Sequence, residues 1–381
     1  ASSMPTHPDH MRRALRLARL GTGRASPNPM VGAVVVRAGA VVGEGFHVYA
    51  ERRHAERVAL DAAGAAARGA DLYVTLEPCC HHGRTPPCTD AIVAAGIRRV
   101  FCGMVDPNPL VAGGGIAALR SAGIPVVLTD EPEPFRLLNR AFVSHVTRHR
   151  PWVTLKAAAT LDGRLAPLSA RSRWITGAQA RRHAHWLRYR HDAILVGVGT
   201  ILADDPQLTC RHTRQPGRPP VRVVIDPVLR LPADSRLAAT AGEAPVRVYC
   251  ASGAPTQPRD ALAARGVTLV PVETASAGGL DLAAILRHLS ATGVTSVLVE
   301  GGSRTLAGFI RAGLADEFCF YFAPMLLGER SLPLVGDIGV LELAACPRLE
   351  VRRVRHLPPD WLFEGFFSGA ADNPPSGPAA R

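Results

Sequence analysis

The 381-residue chain carries 44 Lys+Arg against 32 Asp+Glu, a formal charge of +12, with 47% hydrophobic residues. That length gives two or three domains of roughly 100–200 residues each, and the apolar content supplies a sizeable core. No apolar run approaches the ~18 residues of a bilayer span, no basic and apolar regions mark a signal peptide, and eight scattered cysteines form no small disulfide framework; a cytoplasmic protein with no membrane partner is expected.

In chain order, residues 1–10 read as a loose start and Met11–Leu20 as a basic amphipathic helix. The turn Ser26-Pro27-Asn28-Pro29 leads into two strands, Gly32–Arg37 and Val41–Glu44. A helix beginning near His54 follows, then the apolar strand Leu72–Leu76 and a cysteine-rich loop. Thr89–Ala95 is predicted helical and Arg98–Cys102 extended; Gly113-Gly114-Gly115 opens a helix to about Ala122, and Pro125–Leu128 is a last strand. A boundary falls near His149-Arg150-Pro151, giving domains at 1–148 and 149–369 and a disordered tail at 370–381, rich in Ala, Pro and Gly. The second domain starts at Trp152–Lys156, continues through a helix holding Gln179, Arg182 and Trp186, and has strands at 193–196, 221–225, 246–249, 267–271, 296–300 and 317–322 with helices at 280–290 and 306–312. Strands alternating with helices predict an α/β fold in both domains.

The chemistry concentrates in His54-Ala55-Glu56 and in Tyr73–Cys88, Y-V-T-L-E-P-C-C-H-H-G-R-T-P-P-C. Zinc deaminases carry H-x-E followed by P-C-x-x-C, with one His and two Cys on the metal and the Glu left free. Here eight residues lie between Cys79 and Cys88 where that signature has two. One imidazole and two thiolates leave zinc an open position for water, whose pKa then falls to about 7. Glu56 is placed to take the water's proton and pass it to the departing amine. Cys80 is the alternative ligand, although Pro78-Cys79 favours Cys79. A structural zinc with a fourth ligand from His81 or His82 is the other reading.

The second domain's signals are weaker. Val299-Glu300-Gly301-Gly302-Ser303-Arg304-Thr305 lies between a strand and a helix, where glycines let backbone N–H groups approach a phosphate. It is not G-x-G-x-x-G, and a plain strand-to-helix turn is an equal reading. Asp162-Gly163 reads as a turn and Trp174 as core. The chain has a single lysine, Lys156; a site where guanidinium cannot replace ammonium and chance survival explain it equally well. Basic residues form no run of five or more, so the charge fits a phosphorylated small molecule better than nucleic acid.

Taken together, Y-V-T-L-E-P-C-x-H-H-G-R-T-P-P-C with H-A-E upstream, then L-K-A-A-A-T-L-D-G-R, W-I-T, L-A-D-D-P-x-L-T and V-E-G-G, closely resembles the bifunctional riboflavin-biosynthesis deaminase/reductase family, over residues from about 11 to 367. The resemblance implies an N-terminal cytidine-deaminase-like three-layer α/β/α domain. That domain removes the 2-amino group of 2,5-diamino-6-ribosylamino-4(3H)-pyrimidinone 5′-phosphate. His54, Cys79 and Cys88 match the family's zinc ligands and Glu56 its proton shuttle, while Asn28, His47, His82 and Arg84 match its pyrimidine and ribose-phosphate pocket.

It implies, further, a C-terminal dihydrofolate-reductase-like α/β domain that reduces the ribosyl group to ribityl with NADPH, through a ring-opened imine. Substrate is expected on Lys156, Ser172, Arg188, Leu208, Arg211 and Glu300, with Arg188 and Arg211 as bidentate phosphate partners. Cofactor is expected on Ala158, Trp174, Thr200, Asp204, Gly302, Ser303, Arg304 and Thr305. The match also raises the weight on Lys156 and implies a homo-dimer or tetramer. Three rivals stand against this reading: a nucleic-acid-editing deaminase, disfavoured by the eight-residue gap and the second domain; a protein whose reductase half serves only assembly; and a zinc-stabilised binding module without catalysis.

Overall fold

The computed structural model describes residues 8–81, 86–167, 174–212, 218–255, 257–275 and 278–369. The expected pocket residues His82, Arg84 and Ser172, and the tail 370–381, lie outside the described residues. The chain divides into two compact units between Arg148 and His149.

The first unit runs α1 (Pro8–Arg19), β1 (Gly32–Arg37), β2 (Ala40–Phe46), α2 (Ala55–Ala63), β3 (Asp71–Val74), α3 (Cys88–Ala94), β4 (Arg99–Cys102), α4 (Gly114–Ser121), β5 (Val126–Leu128), α5 (Glu133–Leu138) and α6 (Arg140–Arg148). Its sheet has the order β2-β1-β3-β4-β5. β1 is antiparallel to both neighbours, whereas β3, β4 and β5 are parallel. Strand side chains alternate between faces, and β1 splits its apolar residues accordingly. Ala33 and Val35 pack with residues of α2, α3 and α4; Val34 and Val36 pack with Met11 and Leu15 of α1, Phe135 of α5 and Val143 of α6. The result is the expected three-layer α/β/α arrangement.

The second unit runs β6 (Trp152–Thr160), β7 (Arg164–Pro167), α7 (Ala178–Arg190), β8 (Ala193–Gly197), α8 (Val198–Asp204), β9 (Val221–Ile225), α9 (Arg236–Ala239), β10 (Val246–Ala251), α10 (Gln257–Ala264), β11 (Thr268–Val272), α11 (Leu282–Ala291), β12 (Ser296–Val299), α12 (Ser303–Arg311), β13 (Glu317–Ala323), β14 (Ser331–Pro333), β15 (Leu349–Leu357) and β16 (Asp360–Phe367). Its main sheet has the order β11-β10-β9-β8-β12-β6-β13-β16-β15. The strands are parallel from β11 to β13, and the β15–β16 hairpin closes one side in antiparallel register. Strand β8 divides the core as β1 does. Ala193 and Leu195 face Ile285 and Leu286 of α11 and Phe309 of α12, while Ile194 and Val196 face Ile201 of α8, Leu237 of α9 and Leu262 of α10. Helix α7 covers Leu298, Cys319 and Tyr321. Among the described residues no helix is long and apolar enough to cross a membrane.

Candidate active sites

In the first unit, His54 is the N-cap residue of α2, in extended conformation at φ −75°, ψ 152°. The helix lies so close to β2 that a Cβ on Gly45 would stand 2.4 Å from the Ala55 carbonyl oxygen, and this approach sets where His54 and Glu56 emerge. Cys79 follows β3 through Pro78, and Cys88 opens α3. The three converge: His54 Nδ1 is 3.2 Å from Cys88 Sγ and 3.5 Å from Cys79 Sγ, and one ligand atom from each residue lies within 4.8 Å of the others. The Cys88 backbone N–H donates to Cys79 Sγ at 3.3 Å.

The two thiols share their acidity unequally. Hydrogen bonding from Cys88 outweighs burial and, with His54, lowers Cys79 to about 4. Cys88, hydrogen-bonded to that sulfur and itself buried, is pushed up. An imidazole nitrogen and two convergent sulfurs are donors of the kind a catalytic zinc takes, so the residues fit the metal. Cys80 lies outside this cluster and His81 is exposed.

Glu56 is 4% exposed. Burial pushes its carboxyl up to about 7, against the opposing hydrogen bond from its own backbone N–H and the charge of His54. His47 stands edge-on to His54 with ring centroids 5.6 Å apart. Its Nδ1 faces the Arg53 carbonyl at 2.8 Å and so carries the proton, leaving Nε2 to accept from the Asn28 amide at 3.0 Å. Of the eight residues expected in this site, the structure therefore brings six together; His82 and Arg84 are the two outside the described residues.

Two further acids escaped the sequence reading. Glu77 is 4% exposed, and Asp106 is pushed up to about 6 by burial. The signal for Glu77 was an acid inside an apolar strand end; Asp106, at the head of Asp106-Pro107-Asn108-Pro109, reads as an ordinary turn.

In the second unit Lys156 projects from β6 on the face covered by α7, with Nζ 5.9 Å from the Tyr321 ring centroid. Burial lowers its ammonium, offset only in part by Glu300. Glu300, just past β12, meets Arg188 of α7 in a two-pronged pair: Nε to Oε1 at 2.5 Å and Nη2 to Oε2 at 2.7 Å. Burial alone would raise Glu300. The charge and hydrogen bonds of Arg188, with Lys156 behind them, overcome that and hold it at about 2. Arg188 Nη1 donates to the Thr209 carbonyl at 2.9 Å. The arginine expected on a phosphate is thus turned toward Glu300 and the backbone beside Leu208. Arg211 is exposed, and its backbone N–H donates to His185 Nδ1 at 3.1 Å. Leu208 is buried and takes a positive φ of 52°.

The expected cofactor residues fall into a close group and an outlying one. Helices α8 and α12 start side by side after β8 and β12: a Cβ on Gly197 would stand 2.6 Å from Thr305 Oγ1, and one on Gly302 3.7 Å from Thr200 Oγ1. Ser303 Oγ beside them is buried and has no hydrogen-bond partner among the described residues. An orphaned hydroxyl at the paired starts of two helices fits a phosphate-bearing cofactor. Ala158 lies on β6, one step along the same face from Lys156. Arg304 and Asp204 are exposed, and Trp174 is 67% exposed with the Arg181 guanidinium 4.5 Å above its ring, so the expectation of a core tryptophan is wrong.

Comparison with known proteins agrees with this division. The family described as "Cytidine and deoxycytidylate deaminase zinc-binding region" matches residues 4–104, and the "RibD C-terminal domain" family matches residues 151–363. The chain is 42% identical over 352 residues to the riboflavin biosynthesis protein RibD of Bacillus amyloliquefaciens, covering 92% of this chain and 94% of the relative. Among solved structures it is similar to Acinetobacter baumannii RibD (TM-score 0.86, 36% identity, 94% of this chain and 98% of that one). It is likewise similar to the diaminohydroxyphosphoribosylaminopyrimidine deaminase/5-amino-6-(5-phosphoribosylamino)uracil reductase of Thermotoga maritima (TM-score 0.82, 38% identity, the same coverage).

Proposed function

This chain belongs to the RibD family, and from that premise we propose that residues 1–148 deaminate, and residues 149–369 reduce, one phosphorylated pyrimidine in riboflavin biosynthesis. The substrate is 2,5-diamino-6-ribosylamino-4(3H)-pyrimidinone 5′-phosphate. Water replaces its 2-amino group, which leaves as ammonia, and the ribosyl chain is then reduced to ribityl. The product is 5-amino-6-ribitylamino-uracil 5′-phosphate.

The observation that carries the first half is the convergence of His54, Cys79 and Cys88 beside a buried Glu56. Those three would hold zinc, which would supply Lewis-acid activation of water. Glu56 moves the protons: with a carboxyl pushed up to about 7, it accepts one from the attacking water and returns it to the departing nitrogen. His47, with one ring nitrogen on the Arg53 carbonyl and the other on the Asn28 amide, fixes the Asn28 side chain, whose oxygen and second N–H are offered to the pyrimidine edge. In the second half a bound NADPH would supply hydride for reduction of the ribosyl C1′, and the protein positions the two reactants. Thr200, Gly302, Ser303 and Thr305 would hold the cofactor's phosphates. Lys156 and Glu300 face the sugar. Arg188 holds Glu300 and the Thr209 carbonyl in place, and Arg211, at the exposed edge, reaches the substrate phosphate. The protein acts as a homo-oligomer in the cytoplasm, on a small molecule and not on nucleic acid.

The test is Glu56→Gln in the full chain. Bound zinc, measured by elemental analysis, should stay stoichiometric, ammonia release should fall by about 10²–10⁴-fold, and NADPH oxidation with the deaminated substrate should be unchanged. Undiminished ammonia release would remove Glu56 from the chemistry.

A further inference from the structure

We propose that Glu77 is the positioning residue of the metal loop: its carboxylate gathers the 106–116 segment and presses the first turn of α4 onto Pro78, fixing Cys79 toward His54 and Cys88. The inference rests on reading those three as zinc ligands.

Glu77 is buried where β3 has ended, and its backbone N–H continues the sheet by donating to the Met104 carbonyl at 3.0 Å. Its side chain meets no basic partner among the described residues. Instead Oε2 accepts the backbone N–H groups of Asp106 and Gly113, and Oε1 that of Ile116, each at 3.0 Å. All three donors belong to one loop and the helix start that follows it, so a single carboxylate ties that whole segment to the strand end from which Cys79 departs. Backbone N–H groups at a helix start favour an anion, and charge-assisted hydrogen bonds are the strong ones.

The tie brings the helix into hard contact with the metal loop. A Cβ on Gly115 would lie 1.9 Å from the Pro78 carbonyl oxygen, and one on Gly114 3.0 Å from Cys80 Sγ. From the other side, the Thr89 N–H of α3 donates to the Cys79 carbonyl at 3.2 Å. The peptide on either side of Cys79 is therefore held between α4 and α3, with Glu77 as the fastening on the α4 side. Glutamine at 77 offers one acceptor oxygen in place of two and turns an NH₂ toward a backbone donor, so it cannot hold the same three groups. Partners one step removed from a metal typically carry 10–100-fold in affinity or activity.

The experiment compares the full-length wild type with Glu77→Gln and Gly115→Ala, loaded separately with zinc and with cobalt. Two quantities are read: the rate of zinc loss to a competing chelator, and the visible absorption of the cobalt protein, which reports the ligand geometry directly. Reductase turnover monitors folding of the second unit. Both variants should lose zinc at least about tenfold faster and show a shifted cobalt spectrum, with reductase turnover unchanged. Wild-type release rates and spectra in both variants would overturn the proposal. Should Glu77→Gln fail to fold, Gly115→Ala decides alone: it leaves the carboxylate untouched but forces α4 off Pro78, and an unaltered spectrum refutes the proposal. Wild-type protein that takes up neither metal would refute the ligand reading itself.

Discussion

Glu56 and Glu300 are both buried carboxylates, and their surroundings drive them in opposite directions. No cation among the described residues is forked onto Glu56, so burial dominates and lifts it to about 7, the range in which a carboxyl can both take and give a proton. Glu300 is matched by Arg188 and stays charged, at about 2. The first state suits the proposed proton carrier, the second a fixed negative group beside Lys156. The second arrangement has a stability consequence: Arg188→Ala leaves a buried unpaired carboxylate and should destabilise the second unit by about 3–5 kcal/mol, whereas Arg188→Ala with Glu300→Gln should recover most of that loss. Denaturant midpoints of the two variants check it, and equal midpoints would contradict it. The sequence showed His54, Glu56, Cys79 and Cys88 plainly because their chemistry is tied to short spacings. It hid the Arg188–Glu300 pair, whose members stand 112 positions apart, and the residue pattern alone left Lys156 evenly balanced, raised only by the family resemblance.

At the scale of elements, α7 shows why a regular pattern can be absent from a well-packed helix. Its inward face carries Leu187 and Ala180, but also His183 against Tyr321 at 2.5 Å, Arg188 against Glu300 and Arg190 against Glu317. Polar residues point inward because the sheet offers them partners, so apolar periodicity understates the burial. Strand β15 was missed for the opposite reason. Its sequence, Leu-Glu-Val-Arg-Arg-Val-Arg-His-Leu, is mostly exposed along an edge and carries the charges edge strands commonly use. Helices α5 and α6, which begin near Pro134 and Asn139, also passed unread.

Helix α7 further predicts a pH response. His183 is held at about 3 by burial and by Arg355, Arg190 and Arg353; His185 is held at about 4 by burial and by Arg188 and Arg211. Both values lie below the ordinary value of about 6.5. Above that pH both histidines are neutral in the folded and unfolded chains and contribute no slope. As the pH falls through about 6.5 the unfolded chain takes up protons that the fold refuses, so stability declines until the folded values are reached. The melting temperature of the second unit should therefore drop between pH 6.5 and 4, and the double variant His183→Asn/His185→Gln should flatten that decline. A profile as steep in the double variant as in the wild type would contradict the assignment.

For the whole molecule, two α/β units with separate cores and separate reactive groups match a two-step conversion. The alternation of strands and helices made the α/β class legible. The mixed sheet direction was not, because β1's antiparallel pairing to both neighbours depends on partners the local pattern does not name. The measurement that tests the account most directly is mass spectrometry of the diaminopyrimidinone ribotide incubated with the purified zinc-loaded protein, with and without NADPH. The account predicts exchange of an amino group for oxygen, with ammonia released, in both reactions, and a gain of two hydrogens only when NADPH is present. An unchanged substrate in both would contradict it.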